Sequence, residues 1–467
     1  MLKLRSFVVL LTLTVLLATQ AMAQITSSNL RGTVVTSDGT PISGASVELL
    51  HVPSSTVARS TTGDTGQFFE SGLRVGGPYQ LTVSRSGYET TIFENLFLEP
   101  GNQDPITVEL TGVGDVTDRM MVTGTRMVEA AELGNGVGSV YSAQDVRNAT
   151  GTDRDLIGVL LQDPLTTSSG PGTLSVAGVN PRFNGLAIDG ALQQDDLGLG
   201  DSTYATARSP INIDTVESIS LVASDYSVQA SGFTGGLVNV VTKSGGNDWE
   251  GNFYYAMRND SMIGDKYGNR TFDPGEVDEK EYGFVVSGPI VKDKLFMLFS
   301  YDEYDTGAPY DFSNSDAVNG REAGFFDALN AVISDVYGFD ALGRPVSGNI
   351  PETSERMLAK VDWNINDNHR ASFTYQETKE TGTSISSSNF QSAWYDIPVD
   401  LEAYTVQLFS DWTPNLSTTV RYNYKEFVRG QICRGGPEVG HLEFRLGPDD
   451  LVGSPLEGLL TGRSITA

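Results

Sequence analysis

Polar and apolar residues alternate with a period of two along much of the chain from residue 252 onwards. Successive side chains of a β-strand point to opposite faces, so this period predicts strands with one apolar and one polar face. Three segments show the pattern most clearly: Met357, Ala359, Val361 and Trp363 against Leu358, Lys360, Asp362 and Asn364; Ala371, Phe373 and Tyr375 against Ser372, Thr374 and Gln376; Val420, Tyr422 and Tyr424 against Arg421, Asn423 and Lys425. The apolar face could meet lipid around a wet lumen, or it could be the core of a soluble sandwich.

The spacing of these strands favours the membrane barrel. Short turns join the strands in pairs, around Lys292-Asp293, 366–368 and 413–415. Long polar loops separate the pairs, at roughly 259–280, 305–354 and 378–401. Short turns at one rim and long loops at the other are typical of bacterial outer-membrane barrels. Aromatic residues at strand ends, among them Trp363, Trp394 and Trp412, fit interfacial girdles.

The N-terminus carries an export signal. Lys3 and Arg5 precede an apolar run from Phe7 to Ala18, and a small-x-small site, Ala21-Met22-Ala23, follows it. The run is shorter than the ~20 apolar residues that span a bilayer. We therefore expect residues 1–23 to be a cleaved signal peptide and the mature chain to be exported.

Composition narrows the function further. The chain has 31 Lys and Arg against 59 Asp and Glu, a formal charge of −28, and such a surface repels nucleic acid. The lone cysteine, Cys433, permits no intrachain disulfide. Frequent glycine, 51 of 467 residues, together with scarce helical periodicity favours a mainly β protein.

The sequence carries no motif of a hydrolase, a metalloprotease or a nucleotide-binding loop. Its three histidines are far apart, at positions 51, 369 and 441. His51 is predicted to be a surface residue, because zinc needs three or four converging ligands. We expect a protein that is not an enzyme.

Residues 24–112 form the first predicted domain, a β-sandwich. Alternating strands are expected at 30–35 and 45–52, and Tyr79, Leu81 and Val83 share one face of a later strand. The segment resembles the carboxypeptidase regulatory-like domain in the order of its landmarks, which are Gly32, Asp38-Gly39, Pro41, Gly44-Ala45, Gly66-Gln67-Phe68, Leu73, Tyr79 and Gly87-Tyr88. The resemblance implies a structural module without peptidase chemistry.

A short β-prone segment follows, in the connector 113–127. A segment that adds a strand to a partner's sheet must be extended and exposed, since its main chain supplies the contacts. The run resembles the TonB box of TonB-dependent receptors with its trailing V-T-G-x-R, and the resemblance assigns partner binding to Met120, Met121, Val122, Thr123, Gly124 and Thr125. An ordinary edge strand is the alternative interpretation.

Residues 128–248 are predicted to form a plug domain of mixed structure. A short helix is expected from Thr152 or Asp153, ended by Pro164. The following run resembles the plug motif of the same receptors, with Arg182, Asn184, Gly185, Asp189 and Gly190 as the matching residues. From the residues alone, Asp189-Gly190 indicates a hairpin turn more than a binding carboxylate.

Residues 235–251 resemble the junction between the plug and the first barrel strand of TonB-dependent outer-membrane receptors, especially the Oar-like branch with an extra N-terminal sandwich. That resemblance implies a β-sandwich, a plug and a barrel from residue 249 to 467. Receptors of this kind close with about 22 strands, whereas seven are predicted here. We therefore expect a fragment that lacks most of the barrel.

The resemblance also implies the function: a receptor of the Gram-negative outer membrane, with its N-terminal domain in the periplasm, that imports an extracellular substrate using energy delivered by TonB. The substrate class stays open, since similar scaffolds take many ligands. The alternative is a secreted or surface-displayed adhesin or glycan-binding β protein without transport.

One loop carries oxygen ligands at the spacing of a calcium loop. Counted from Asp265, the ligands fall at Asp265, Asn269, Asp273 and Glu276. Tyr267 stands at the third position, and Arg270 stands where glycine is expected. A possible calcium site therefore competes with a solvated acidic loop, and the second interpretation is favoured.

Overall fold

The computed structural model describes residues 25–113, 121–123, 137–149, 154–168, 172–195, 204–224, 233–264, 266–267, 270–271, 277–387, 389–413, 416–436, 445–462 and 465–466. The protein is mainly β, as predicted: a sandwich, a plug and a run of barrel strands follow one another along the chain. Among the described residues, no helix is long and apolar enough to cross a membrane.

Two sheets form the N-terminal sandwich. Its strands are β1 (Ser28–Thr36), β2 (Ser46–His51), β3 (Thr56–Thr61), β4 (Gln67–Leu73), β5 (Gly76–Ser84), β6 (Thr91–Leu98), β7 (Gly101–Asn102) and β8 (Ile106–Leu110). One sheet has the order β4-β1-β7, with β8 also paired to β1. The other contains β3, β2, β5 and β6, and its outermost strand is β9 (Met121–Thr123), from beyond the sandwich segment.

The sandwich core contains Tyr79, Leu81 and Val83, as their alternation predicted. The prediction for His51 was wrong, because its side chain is only 6% exposed. On β2 the inward positions are Val47, Leu49 and His51, so the same alternation turns the imidazole inward. Its Nδ1 lies 2.6 Å from Ser54 Oγ, and burial lowers the pKa of the ring to about 3.

The plug region is built on a five-stranded sheet of order β10-β15-β16-β13-β14. Its elements are β10 (Val137–Ser142), α1 (Ala143–Ala149), α2 (Leu156–Leu160), β11 (Thr166–Thr167), β12 (Ser175–Val176), β13 (Gly185–Ile188), β14 (Ala191–Leu192), β15 (Val216–Ser224) and β16 (Leu237–Thr242). The expected helix is present as α2, but Thr152 and Asp153 lie outside the described residues and Asp155 caps it instead, accepting from Ile157 N at 2.9 Å. The helix α1 was not predicted.

The barrel region forms one antiparallel sheet whose strands follow one another in sequence. Its long strands are β17 (Glu250–Asn259), β20 (Asp278–Val291), β21 (Leu295–Asp311), β22 (Ser347–Asn366), β23 (His369–Ser384), β24 (Tyr395–Thr413) and β25 (Leu416–Arg429). These are the seven strands that the alternation predicted, although most extend further into the long loops. The minor strands are β18 (Lys266–Tyr267), β19 (Arg270–Thr271), β26 (Ile432–Cys433), β27 (Arg445–Leu446) and β28 (Ile465–Thr466).

The predicted polar loop 305–354 is instead partly helical. It carries α3 (Ser313–Val318) and α4 (Phe325–Tyr337). Four residues of α4, Phe325, Phe326, Leu329 and Ile333, are buried at the helical spacing. They pack with Phe390 from the loop after β23 and with Leu451, Leu456 and Leu460 from the segment after β25. We call this shared apolar unit the loop cap.

Candidate functional site

The barrel strands reverse the side-chain distribution of a soluble protein. On β22, Lys360, Asp362 and Asn364 are at most 8% exposed, whereas Trp363 between them is 50% exposed. On β23, Thr374 is buried and Phe373 is 40% exposed. A soluble sandwich would bury the apolar face. An apolar outer face around a polar interior is the arrangement of a membrane barrel.

Two residues of the plug motif, Asn184 and Gly185, form hydrogen bonds that hold the plug sheet together. Asn184 is buried, donating from Nδ2 to Leu174 O at 2.6 Å and accepting from Gly236 N at 2.8 Å. The amide of Gly185 donates to Gly236 O at 2.8 Å. The Asn184 side chain and the Gly185 amide thereby fix the start of β13 against the glycine pair before β16. Arg182 lies in the preceding exposed turn.

The Asp189-Gly190 pair is a hairpin turn between β13 and β14, as predicted. Both residues have positive φ, +46° and +84°, the conformation of a two-residue hairpin loop. A Cβ on Gly190 would lie 2.7 Å from the guanidinium carbon of Arg421 on β25. A side chain at this position would displace the Arg421 guanidinium, and the φ of +84° itself favours glycine.

The Asp189 carboxylate also makes contacts within the protein, to the plug and to the barrel wall. It accepts from the amide of Thr242 at 2.9 Å and from the hydroxyl of Thr374 at 3.0 Å. Lys360 Nζ lies 3.2 Å from it and donates to Thr242 O at 3.0 Å. Gln407 Nε2 donates to the Asp189 carbonyl at 2.8 Å. Asn423 of β25 donates to the Gly190 carbonyl at 2.8 Å, so four barrel strands hold the tip of one plug hairpin.

A second group of charges lies in the barrel wall beside the plug. Arg356 Nη2 lies 3.1 Å from Glu281 and is also paired with Asp302, and all three side chains are almost fully buried. Arg356 also donates from Nη1 to the plug carbonyl of Ser209 at 3.1 Å. From the plug side, Arg208 Nη2 lies 3.3 Å from Glu281. The barrel and the plug therefore share one buried carboxylate.

The plug segment 207–210 binds the wall through its main chain as well. Glu380 on β23 accepts from Ala207 N at 2.6 Å and from Ser354 Oγ at 3.0 Å. Gln376 Nε2 and Thr378 Oγ1 donate to Pro210 O at 3.0 and 2.9 Å. The contact between this plug segment and the wall is therefore made by hydrogen bonds.

The sandwich contacts the short-turn rim of the barrel through Arg74. Its Nη1 lies 3.1 Å from Asp362 and 3.2 Å from Ser244 Oγ, and its Nη2 donates to Asn364 Oδ1 at 2.8 Å. The Arg74 and Asp362 side chains are 5% and 4% exposed. Arg74 therefore joins the sandwich, the end of the plug and the barrel rim at one point.

Other contacts at this rim are less buried than those of Arg74. Arg59 on β3 lies 2.9 Å from Asp367 in the turn between β22 and β23. Asn247, at the plug–barrel junction, donates its amide to Pro53 O at 2.7 Å. A cavity of about 50 Å³ remains between the two parts, lined by residues such as His51, Arg74 and Arg370.

Glu217 on β15 is the titratable group where the plug meets the sandwich. A Cβ on Gly76, whose φ is +91°, would lie 2.0 Å from Glu217 Oε1, so the carboxyl lies directly against the sandwich main chain. Burial raises the pKa of Glu217 to about 7, against the opposing effect of Lys243, Lys360 and Arg147.

The loop cap has its own buried charges. Asp316 pairs with Arg321 at 3.2 Å and with Arg344, whose side chain is 1% exposed. The Arg344 guanidinium lies 3.9 Å from the ring centroid of Phe326. Trp394, predicted for an interfacial girdle, is 2% exposed and packs edge-on against Tyr310 at 5.6 Å. That prediction was wrong, because β24 begins only after Trp394.

Most of the residues predicted to bind a partner or a metal lie outside the described part of the chain. Of the partner-binding segment, the backbone of Met121, Val122 and Thr123 is described, as β9, while Met120, Gly124 and Thr125 lie outside the described residues. Also outside them are all four calcium candidates, Asp265, Asn269, Asp273 and Glu276. Within the described ranges, no group of three or more His, Cys, Asp or Glu side chains could hold a metal.

The charged residues of the barrel wall were missed by sequence reasoning. Glu281, Asp302, Arg356 and Glu380 all occupy polar positions of the alternating pattern. Charges at lumen-facing positions of several strands are the signal that could have found them.

Comparison with known proteins agrees with this architecture. Residues 29–111 match the carboxypeptidase regulatory-like domain family, and residues 241–353 match the outer membrane beta barrel domain family. These two matches cover the sandwich and the first part of the barrel region.

A stretch of 134 residues is 26% identical to the TonB-dependent transporter Oar of Myxococcus xanthus, covering 27% of this chain and 12% of that protein. The resemblance to Oar-like TonB-dependent receptors is thus confirmed. Among solved structures, the ferric enterobactin receptor of Pseudomonas aeruginosa aligns at 15% identity with a TM-score of 0.45, covering 63% of this chain and 41% of that one. The siderophore receptor PirA of Acinetobacter baumannii aligns at 16% identity with a TM-score of 0.45, covering 73% and 45%. The chain therefore spans less than half the length of these relatives.

Proposed function

We propose that this chain is part of a receptor of the Gram-negative outer membrane that binds an extracellular substrate and imports it through the plugged barrel, using energy transmitted by TonB. The observation that carries the proposal is the polar seam between plug and wall. Asp189, Arg208 and Pro210 are held there by side chains of the barrel lumen. Stability alone does not require such a seam, because well-packed apolar residues in place of a buried ion pair are often at least as stabilising.

The outward apolar face supports the membrane setting. Phe253, Tyr255, Tyr422 and Tyr424 are each at least 45% exposed on β17 and β25. In this setting the loop cap stands at the outer surface and is the first region that a substrate meets. The sandwich stands at the opposite, short-turn rim, which supports a periplasmic position for it beside the segment 120–125.

The test uses the full-length receptor. Val122→Pro removes an amide donor and fixes φ in the segment 120–125, so energised uptake should be lost while substrate still binds to cells. Val122→Ala keeps the amide and should support normal uptake. Uptake that survives Val122→Pro would show that the segment 120–125 is only a linker and that the coupling residues lie elsewhere. A first result, loss of uptake with retained binding, supports the proposal; a second, recovery of the full-length protein as a soluble periplasmic monomer, contradicts it. The second result would favour the adhesin alternative.

A further inference from the structure

The strand β9 is paired with the sandwich domain. It lies parallel to β6, with Ile92 opposite Met121, Phe93 opposite Val122 and Glu94 opposite Thr123. The main chain of the partner-binding segment therefore already has a strand beside it. Strand addition uses main-chain donors and acceptors, and β6 offers the same groups that a partner's strand would offer.

We propose that the sandwich stores the partner-binding segment by holding β9 on the edge of β6, so that TonB must displace this pairing before it binds. The proposal rests on the proposed function, since it takes Met121–Thr123 as the segment that TonB recognises. It assigns the sandwich a regulatory role as an internal competitor for one strand.

The stored strand can leave without unfolding the domain. β9 pairs through three residue positions only, and it is the outermost strand of its sheet. On its other side β6 keeps an antiparallel partner, β5, from Thr91 to Leu98. The core residues Leu96 and Leu98 stay buried between the sheets. A short ladder on a stable edge is suited to reversible exchange.

The sandwich is also placed to sense the transporter. Arg74 joins it to the barrel and Glu217 of the plug lies against Gly76, the first residue of β5. Since β5 pairs with β6, a shift of the plug acts on the strand next to the storage edge. Movement of the plug is therefore coupled to the release of β9 through β5 and β6.

A disulfide trap tests the storage. In the full-length receptor with Cys433→Ser, Glu94→Cys and Thr123→Cys place thiols on register partners, within the Cα separation that a disulfide spans. We expect this pair to oxidise. Phe97→Cys with Thr123→Cys is the matched control and should stay reduced, because the step from Glu94 to Phe97 across the bulge at Asn95 still adds about 7 Å along β6.

Binding of a purified periplasmic fragment of TonB is then measured in both redox states. Storage predicts that the oxidised 94–123 receptor binds at least tenfold more weakly and that reduction restores binding. Failure of this pair to oxidise overturns the proposal. Equal binding by the oxidised and reduced forms also overturns it, since the free edge of β9 would then accept the partner. Absent binding in both states contradicts the proposed function, and the disulfide yield still decides whether the segment is stored.

Discussion

Lys360 of the barrel wall lies 3.2 Å from the carboxylate of Asp189 in the plug, and the two side chains are 7% and 3% exposed. The pair joins the tip of the β13–β14 hairpin to the middle of β22. Because both charges are out of water, each depends on the other for compensation.

Replacing Lys360 by methionine should loosen the plug hairpin. The substitution leaves Asp189 buried without its cation, and breaking a buried pair costs about 3 to 5 kcal/mol. Hydrogen exchange at Gly185–Leu192 should accelerate. Lys379→Met is the control, since Lys379 pairs with Glu377 at a 52% exposed position and such pairs contribute about 0 to 1 kcal/mol. Unchanged exchange in the Lys360 variant would show that the threonine contacts alone hold the turn.

Replacing Arg356 by leucine should impair barrel assembly. Glu281 and Asp302 would remain buried side by side, and their repulsion adds to the cost of burying them. Arg356→Lys keeps the charge but loses the planar set of N–H donors that lets a guanidinium bind two carboxylates. We expect an intermediate yield of folded, heat-modifiable barrel. Arg258→Leu removes an exposed arginine of β17 paired with Glu279 and should assemble normally. Equal yields from all three variants contradict this interpretation.

Replacing Arg74 by alanine should release the sandwich from the rim while leaving each part folded. The guanidinium supplies the buried contacts to Asp362, Asn364 and Ser244. Proteolysis of the connector 113–127 should become at least several times faster. The matched change, Arg59→Ala, removes only an exposed contact to Asp367 and should have little effect. A fully protected connector in the Arg74 variant would mean that other rim contacts suffice.

The plug–sandwich contact should weaken as the pH rises. Burial raises the pKa of Glu217 from 4.5 to about 7, so the folded protein favours the neutral carboxyl. Stability from this group is fully present below pH 4.5 and is lost as the pH rises through about 7. The protection factors of the amides of β5 and β15, which have the intrinsic pH dependence of exchange divided out, should therefore fall between pH 5 and 8. Glu217→Gln should remove this dependence, and a variant with the same pH profile as the parent would exclude Glu217 as its source.

Replacing Leu329 by alanine should open the loop cap. This side chain is 2% exposed in the apolar cluster, and such truncations cost about 2 to 5 kcal/mol. Protease cleavage within 312–346 should increase, while the heat-modifiable barrel remains. Val336→Ala on the same helix removes a 63% exposed side chain and should leave cleavage unchanged. Similar cleavage of both variants would contradict a shared core.

The alternation of residues 357–364 predicted the strand β22, and the spacing of short turns and long loops predicted that its apolar face points outward. The alternation worked because a strand has one strict period, whichever face is buried. The alternation along β2 also indicates that His51 points inward, and the prediction of a surface residue did not take it into account. Cap residues such as Leu329 were harder to predict, because a short apolar helix inside a polar loop becomes stable only with partners from distant segments.

The contacts of the candidate site divide in the same way. Asp189-Gly190 was found because a hairpin turn is a local signal. The partner of its carboxylate, Lys360, lies 171 positions further along the chain by residue number, and no local pattern joins them. Arg74 was likewise invisible, since its role depends on where the sandwich meets the rim.

The loop cap links surface segments that are far apart in the sequence. Glu322 N donates to Leu459 O, Thr461 N donates to Gly320 O, and Gln391 N donates to Gly343 O. The main-chain positions of the segments after β21, β23 and β25 consequently depend on one another. An insertion in one of them must be accommodated by the other two, so divergence of this surface among related proteins should proceed by exchange of the three segments together, as a single inherited unit.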